Sequence, residues 1–285
     1  ANCPILQIAL AAEQEEIWQA SSRGLGPRDL AMNVAMPEVD GRIFTRAVAF
    51  KASAAFDERT QCNIVTPKPV LDRMAFVAKL AANWALVKQT PVQQRHVALI
   101  LANYPNQDGR IGNGVGLDTP ASVIAILEAM QSAGYQVDNA PSDTAALMAL
   151  INDGVTNSRV SQSRRSEAIL PLADYQRYVA QISPTAQQMM TDQWEAPQGD
   201  PFFRDGAFHL PVHIFGHIAI AVQPARGYNI DPKSSYHDPA LPPPHGYLAF
   251  HFWLEHVFQA QAAVHVGKHG NLEWLPGKAV SLSAD

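Results

Sequence analysis

Short apolar runs alternate with helical patterns along most of the chain, which indicates an α/β fold. The apolar runs predict strands at 5–10, 30–36, 43–50, 96–102, 135–137, 217–222 and 262–266. Apolar residues at helical spacing, together with helix start and stop signals, predict helices at 13–20, 70–87, 119–133, 144–151, 175–182, 185–194 and 247–258. Strand, loop, helix and strand in succession are typical of a parallel sheet with right-handed crossovers.

The predicted class is therefore α/β, with parallel-sheet (Rossmann-like) units and an irregular proline-rich loop region. Six prolines between Gln223 and His245 predict that this region is an ordered but irregular loop. Thr90-Pro91 is the predicted domain boundary. Residues 1–91 are predicted to form the end of one α/β domain with a Pro-Glu-Val-Asp-Gly turn. Residues 92–285 form a second, which carries a glycine-rich loop and a His-Gly-Asn-Leu-Glu-Trp motif.

Composition narrows the class of protein. Charged residues make up 16% and apolar residues 47% of the chain, a low charge content that suggests that other protein covers part of its surface. The net charge of −5 argues against a general nucleic-acid binder. Two cysteines, no membrane-spanning apolar run and no signal peptide fit a cytoplasmic protein. The chain starts at Ala1 without a methionine and stops soon after a motif, so we expect a fragment of something larger.

The strongest chemical signal follows the apolar run 262–266. His265 and His269 stand four residues apart, Glu273 comes four residues later, and glycines flank the histidines. Imidazole and carboxylate groups together suit divalent first-row metals, including zinc, cobalt and iron. The pattern predicts a strand that carries a metal or acid–base site into a loop. The alternative is that one histidine caps the strand and the other bonds to backbone.

A glycine-rich loop follows the apolar run 96–102 and leads into a helix. It contains Gly112 and Gly114, and Asp118 supplies an N-cap ahead of Pro120 in the first helical turn. The loop has neither the Gly-x-Gly-x-x-Gly pattern nor a Walker pattern, so it does not predict nucleotide binding. Two interpretations stay open: a tight turn alone, or backbone amides that contact an anion or carboxylate.

Two weaker signals remain. Glu38 and Asp40 lie between two predicted strands, either in a solvated turn or as a carboxylate ligand or base facing a cleft. Several other histidines are interpreted as surface, packing or structural residues: His209, His213, His217, His251 and His256.

Together these motifs resemble the family of cobaltochelatase large subunits and magnesium chelatase H subunits. The matching segments run in order along nearly the whole chain, at 21–25, 37–41, 102–105 with 109–120, 222–228, 236–239 with 241–245, and 265–278. The magnesium branch has a threonine at the position of Lys268, a phenylalanine at that of Trp274 and a different proline-rich loop. The sequence thus follows the cobalt branch. Family members are several times longer, which also predicts a fragment.

The resemblance implies the large, substrate-binding subunit of an ATP-dependent cobaltochelatase, which inserts Co(II) into hydrogenobyrinic acid a,c-diamide on the aerobic route to cobalamin. Cobalt would be the substrate metal. ATP and magnesium would be used by an AAA+ ATPase subunit and a second chelatase subunit, and neither would be bound by this chain. The expected partners are those subunits and the corrin, with no nucleic acid and no membrane span. Two alternatives are a magnesium chelatase H subunit acting on protoporphyrin IX and a non-catalytic tetrapyrrole- or metal-binding module.

The resemblance also suggests roles for individual residues. The candidate acids and bases of catalysis are Glu273, His269 and Glu38. The candidate metal ligands are His265, His269, Glu273 and Asp40. The candidate substrate-binding residues are Lys268, Arg226, Arg110, Gly112, Gly114 and His245. We expect His265, His269 and Glu273 to meet at the carboxyl end of a parallel strand, with Glu38 or Asp40 facing the same cleft.

Overall fold

A computed structural model of the chain describes residues 3–21, 23–103, 108–228, 238, 240–270, 272 and 275–276. The structure divides into two compact units between Gln89 and Thr90. Both units contain parallel strand pairs and helices, so the predicted α/β class is confirmed. The domain ranges 1–91 and 92–285 stay a prediction.

The first unit is built on a three-stranded sheet. Its strands are β1 (Leu6–Gln14), β2 (Ile43–Asp57) and β3 (Cys62–Pro69), with β2 in the centre, parallel to β1 and antiparallel to β3. The helical segments are α1 (Glu15–Gln19), α2 (Pro27–Asp29), a π-helix (Leu30–Ala35), α3 (Met36–Val39) and α4 (Leu71–Gln89). Trp18 of α1 packs on Phe50 of β2 with ring centroids 5.0 Å apart, which fixes α1 against the sheet.

The strand predicted at 30–36 is wrong, because this segment is helical. Leucine, alanine and methionine favour helices, and Pro27 starts the helical stretch at a position where its missing N–H is not needed. Gly41 ends the stretch with a φ of 75°, in the left-handed region that glycine adopts most easily. The Pro-Glu-Val-Asp-Gly segment is thus a helix end before β2 rather than a turn between two strands.

The sheet of the second unit places β4 (Val97–Leu101) in a central position. β11 (Ile218–Val222) and β12 (Ala262–Val266) flank it, both parallel to it, and β10 (Val212–Phe215) forms an antiparallel edge beside β11. The strands predicted at 96–102, 217–222 and 262–266 are thus confirmed. All five residues of β4 are buried, as expected for a strand covered on both faces.

Helices cover both faces of this sheet. The α-helices are α5 (Thr119–Ser132), α6 (Thr144–Asp153), α7 (Leu172–Val179), α8 (Pro184–Trp194) and α9 (His245–Phe252), which continues as a π-helix (Trp253–Val257). Short 3₁₀ turns occur at Val92–Gln94, Asp108–Arg110, Arg159–Ser163 and Pro197–Gly199. The minor strands are β5 (Asn113–Gly114), β6 (Leu117–Asp118), β7 (Ile169–Pro171), β8 (Phe203–Arg204) and β9 (Ala207–His209).

Alternate residues of the strands face two separate cores. Leu99, Ile220 and Val266 belong to the core that contains Val123 of α5 and Leu147 of α6. Ala98, Ile100, Ala219 and Ala221 belong to the opposite core, with four residues of α9 and its π-helical continuation: Ala249, Phe250, Trp253 and Leu254. The register pairs His265 with Ile100, so His265 lies on the face that carries α9.

The strand predicted at 135–137 is wrong. Gly134 ends α5 with a φ of 87°, and the Tyr135 N–H still donates to Met130 O. Gln136 O accepts one hydrogen bond from His217 N, which fixes the segment beside the sheet without a ladder. A pattern of three residues is too short to distinguish a strand from a connecting segment.

Candidate functional site

The carboxyl ends of three parallel strands meet at one edge of the second sheet. Val222 of β11 and Val266 of β12 both pair with Leu101 of β4, so the three strands end level with one another. Three of the segments singled out in the sequence leave from this edge: the glycine-rich loop, the stretch that begins at Gln223, and the His265 motif. Ligands of open α/β sheets bind at such an edge.

The glycine-rich loop folds back over the end of β4. Gly112 has a φ of 69°, and its N–H donates to Ala102 O at 2.7 Å. Asp118 caps α5 by accepting from Ala121 N at 3.0 Å, which places a carboxylate where an anion would bind. Gly112 is buried and Gly114 half-buried, whereas Arg110 is exposed. The geometry supports a structural turn that leaves the Arg110 guanidinium open to a ligand.

Thr156 and Asn157, which no sequence motif marks, connect the segments at this edge. Thr156 donates its hydroxyl to Asp108 at the start of the glycine-rich loop, with 2.6 Å between the oxygens. Asn157 donates its side-chain amide to Gln223 O at 2.9 Å and accepts from Ala225 N at 3.0 Å. The sequence does not reveal this role of Thr156 and Asn157, because their hydrogen-bond partners lie 48 to 68 residues away in the chain.

Arg226 connects two segments of the chain through its buried side chain. The side chain is fully buried, and its guanidinium donates to Asp238 O at 3.2 Å and to Leu241 O at 2.9 Å. It thereby ties the chain after β11 to the chain before α9. Its substrate-binding role stays a prediction.

The His265 motif forms a short loop at the end of β12. His265 and His269 are half-buried and Lys268 is exposed. The loop turns back on itself, since a side chain at Gly270 would lie 3.1 Å from the His265 Nδ1 atom. His269 Nδ1 lies 2.6 Å from Gly270 O, and because that carbonyl only accepts, Nδ1 carries the proton. Glu273 and Trp274 lie outside the described residues, so the joint site of three side chains stays a prediction.

Gly267 allows the two strand ends to approach each other. Its φ is 145°, and a Cβ atom there would lie 2.6 Å from the Cβ of Ala102. We expect Gly267→Ala to lower the free energy of unfolding by about 1–3 kcal/mol, because the backbone is strained and the contact is overpacked. Urea unfolding measures this change.

Gly109→Ala is the matched control for that substitution. Gly109 belongs to the neighbouring glycine-rich loop, and an added Cβ would have no neighbour within 4 Å. Equal stability of the two variants would show that the approach of the β4 and β12 ends is not a constraint.

His251 is half-buried among aromatic side chains, which the sequence did not predict. It lies on α9, half-buried, with its ring centroid 4.9 Å from that of Tyr247 and 5.2 Å from that of Phe250. Burial is the main cause that lowers the pKa of His251 to about 4, and the proximity of His265 contributes to the shift. The imidazole is therefore neutral at physiological pH.

His245 lies at a second polar feature, a cleft of about 740 Å³ between α7 and α8. Its Nδ1 lies 2.6 Å from the Tyr175 hydroxyl oxygen, and its Nε2 lies 3.0 Å from Glu195 O. The carbonyl can only accept, so Nε2 carries the proton and Nδ1 accepts from Tyr175. Burial lowers the pKa of His245 and strongly raises that of Tyr175, which keeps both groups neutral.

Asp200 is buried beside this pair. Its carboxylate accepts from Phe202 N at 2.9 Å and from Gly246 N at 2.7 Å. Gly246 permits this approach of α9, because a Cβ there would lie 2.6 Å from the carboxylate. Burial raises the pKa of Asp200 to about 6 despite those two hydrogen bonds.

Residues 1–285 match the CobN/Magnesium Chelatase family. The chain belongs to this family. It is 50% identical over 282 residues to the aerobic cobaltochelatase subunit CobN of Sinorhizobium sp, covering 99% of this chain and 22% of that protein. It is 28% identical over 281 residues to the magnesium-chelatase subunit ChlH of Oryza sativa subsp. indica, covering 98% of this chain and 19% of that protein.

A solved structure of the same family has a similar fold. The catalytic subunit of cobaltochelatase from Mycobacterium tuberculosis superposes with a TM-score of 0.83 at 37% identity, and the match covers 99% of this chain and 24% of that chain. The present chain therefore spans about a quarter of the length of these family members, as the expectation of a fragment requires. Among the residues that the structure describes, no helix is long and apolar enough to cross a membrane.

The family's carboxylate motif lies in the first unit. Glu38 and Asp40 are exposed at the end of α3, and Asp40 lies 4.0 Å from the Arg42 guanidinium. Their proximity to His265 stays a prediction. Within the described ranges, no three histidine, cysteine, aspartate or glutamate side chains are grouped to hold a metal ion.

Proposed function

We propose that this chain is part of the large, substrate-binding subunit of an ATP-dependent cobaltochelatase that inserts Co(II) into hydrogenobyrinic acid a,c-diamide in aerobic cobalamin biosynthesis, in the cytoplasm. The observation that carries the proposal is the position of His265 and the His269 loop at the carboxyl edge of the sheet, in a chain half identical to a cobaltochelatase subunit. The match to the cobalt branch at Lys268 and Trp274 favours cobalt over magnesium.

His265 and His269 are the proposed metal ligands, with Glu273 and Asp40. Imidazole binds Co(II) well, and magnesium prefers oxygen ligands, so a histidine-rich site suits the cobalt reaction. Each imidazole that binds the ion replaces a water molecule. The ion can then reach the macrocycle partly dehydrated.

Ring protons must leave as the metal enters. His269, Glu273 and Glu38 are the proposed acceptors of those protons. The hydrogen bond from His269 Nδ1 to Gly270 O fixes the neutral tautomer whose basic nitrogen is Nε2, which supports this role. A base on a half-buried loop can take the proton from the ring and pass it to solvent.

The carboxylate side chains of the substrate require cations at the same edge. Lys268 and Arg110 are exposed there and are the proposed contacts. Gly112 and Gly114 shape the loop that carries Arg110. His245, in the cleft between α7 and α8, is proposed to contact the substrate through the surface that it shares with Tyr175.

The energy of ATP hydrolysis would come from partner subunits. The chain has no Walker pattern. We propose an AAA+ ATPase subunit and a second chelatase subunit as partners, which would bind ATP and Mg²⁺. A complex of all three would then metallate the corrin.

The test compares two metals and two macrocycles. The full-length protein with both partner subunits and ATP is expected to insert Co(II) into the corrin and to leave Mg²⁺ and protoporphyrin IX unreacted, as followed by the absorption spectrum of the product. Magnesium insertion into the porphyrin would establish the magnesium chelatase alternative. Binding of the corrin without metallation in any mixture would establish the non-catalytic binding module.

A further inference from the structure

The cleft between α7 and α8 lies at the same edge of the sheet as the His265 motif. His245, which lines the cleft, is the first residue of α9. Beyond the other end of this helix, Phe258 O lies 2.5 Å from Nδ1 of His96, the residue that directly precedes β4. The helix therefore ends at the amino edge of the sheet and begins at the carboxyl edge, where β12 places His265.

Two hydroxyl groups that line the cleft have already used their protons. Tyr175 donates to His245 Nδ1, with 2.6 Å between the atoms, and Thr191 donates to Gln187 O at 2.9 Å. The His245 Nε2 proton is used as well, in the hydrogen bond to Glu195 O at 3.0 Å. Each hydroxyl oxygen keeps lone pairs, so toward a ligand it can only accept a hydrogen bond.

The charge of the cleft favours the same kind of ligand. Glu195 lines it, and none of the described residues of its lining is a lysine or an arginine. The wall also contains the apolar side chains Val179 and Met190 and the amides of Gln176 and Gln187. A carboxylate would meet a like charge and hydroxyl oxygens that cannot donate to it, whereas a neutral group with N–H donors would be satisfied.

We propose that this cleft binds a primary amide side chain of the macrocycle and thereby selects the amidated corrin over its free acid. The inference rests on the proposed function, in which the substrate carries two amides beside its carboxylates. The amide N–H groups match the acceptors of Tyr175, Thr191 and Glu195. The exposed cations Lys268 and Arg110 suit the carboxylates that remain.

Binding of metal-free corrins to the full-length protein, without ATP or partners, tests the inference. The probes are hydrogenobyrinic acid a,c-diamide and hydrogenobyrinic acid, which has carboxylates in place of the two amides. Fluorescence quenching gives a dissociation constant for each, and we expect the wild type to bind the diamide at least about tenfold more tightly. Glu195→Lys should lower this ratio at least about tenfold, because an ammonium group attracts a carboxylate. Thr191→Val removes one acceptor and should lower the ratio about threefold.

Asp192→Lys is the matched control for Glu195→Lys. It makes the same change of charge three residues earlier, on α8, at a residue outside the lining of the cleft. The ratio of the two dissociation constants should stay at the wild-type value. An equal loss of the ratio in Asp192→Lys would overturn the inference, since the effect would then come from the net charge of this surface.

The outcomes separate the two proposals. Equal affinity of the wild type for both corrins, or a wild-type ratio in both Glu195→Lys and Thr191→Val, overturns the inference and leaves the proposed function intact. Failure of the wild type to bind either corrin contradicts the proposed function, and the inference falls with it. Melting temperatures identify variants that do not fold. Thr191 is exposed on α8, so Thr191→Val decides if Glu195→Lys does not fold.

Discussion

His269→Ala and Glu273→Gln are each expected to abolish cobalt insertion while the protein stays folded and still binds the corrin. His269 lies in a half-buried loop beyond β12, outside the hydrophobic cores, so its removal should change the free energy of unfolding little. Loss of a ligand or base acts instead on metal transfer, for which a factor of at least a hundred in rate is the expected order of magnitude.

Three measurements on each variant check this expectation: the melting temperature, corrin binding by fluorescence quenching, and ATP-dependent cobalt insertion with both partners. His256→Gln is the matched control and should insert cobalt at the wild-type rate, because it replaces a histidine of the same unit that stacks on Tyr178. Insertion near the wild-type rate in both test variants would mean that the motif is structural. Failure of both to fold would favour a buried, bonded histidine.

Asp200→Ala is expected to lower the free energy of unfolding at neutral pH by about 3–5 kcal/mol. The carboxylate is 2% exposed and accepts from two buried N–H groups, those of Phe202 and Gly246. Each donor left without a partner costs about 1–3 kcal/mol. Asp200→Asn keeps one acceptor oxygen and should lose less stability, and urea unfolding compares the two variants.

The same carboxyl predicts a pH dependence of stability. Burial raises the pKa of Asp200 from 3.8 to about 6, so the folded protein binds this proton more tightly than the unfolded chain. The stabilisation from this group is complete below about pH 4 and is lost as the pH rises to about 6, with a total of up to about 3 kcal/mol. Asp200→Asn removes the titrating group, so the difference in stability between wild type and variant should change across that window and stay constant above it.

Asp192→Ala is the control for the Asp200 substitutions. Asp192 is exposed on α8 and accepts a side-chain hydrogen bond from Gln188 at 2.7 Å. Its removal should change the free energy of unfolding by no more than about 0.5 kcal/mol. If Asp200→Ala were equally mild, the buried carboxylate would not stabilise the contact between α9 and the residues before β8.

Local patterns predicted the elements that contain a continuous apolar run. β4, β11 and β12 were predicted within a residue or two, because their side chains are apolar and each run is bounded by polar or turn residues. The same reasoning failed at 30–36, where leucine, alanine and methionine fit either a strand or a helix. It also missed β3, whose eight residues are all exposed and therefore show no apolar alternation.

The site was predictable only as far as it is local. His265, His269 and their glycines are near one another in sequence, and the carboxyl end of a parallel strand is where such residues are expected. Arg226 looked like a ligand-binding cation and is buried against two backbone carbonyls. A sequence gives the charge of a side chain, but burial depends on segments that arrive from elsewhere in the chain.

The sequence by itself determined the α/β class, the strands of the central sheet, the histidine motif and the family resemblance, because each rests on residues close together in the chain or on ordered motifs. The tertiary structure alone decided that His265 lies on the sheet face that α9 covers and that Tyr175 and Asp200 accompany His245. These relations depend on strand register and on how α7 and α9 pack. Strand register and helix packing are set by the burial of the whole core, so they cannot be predicted from a local stretch of sequence.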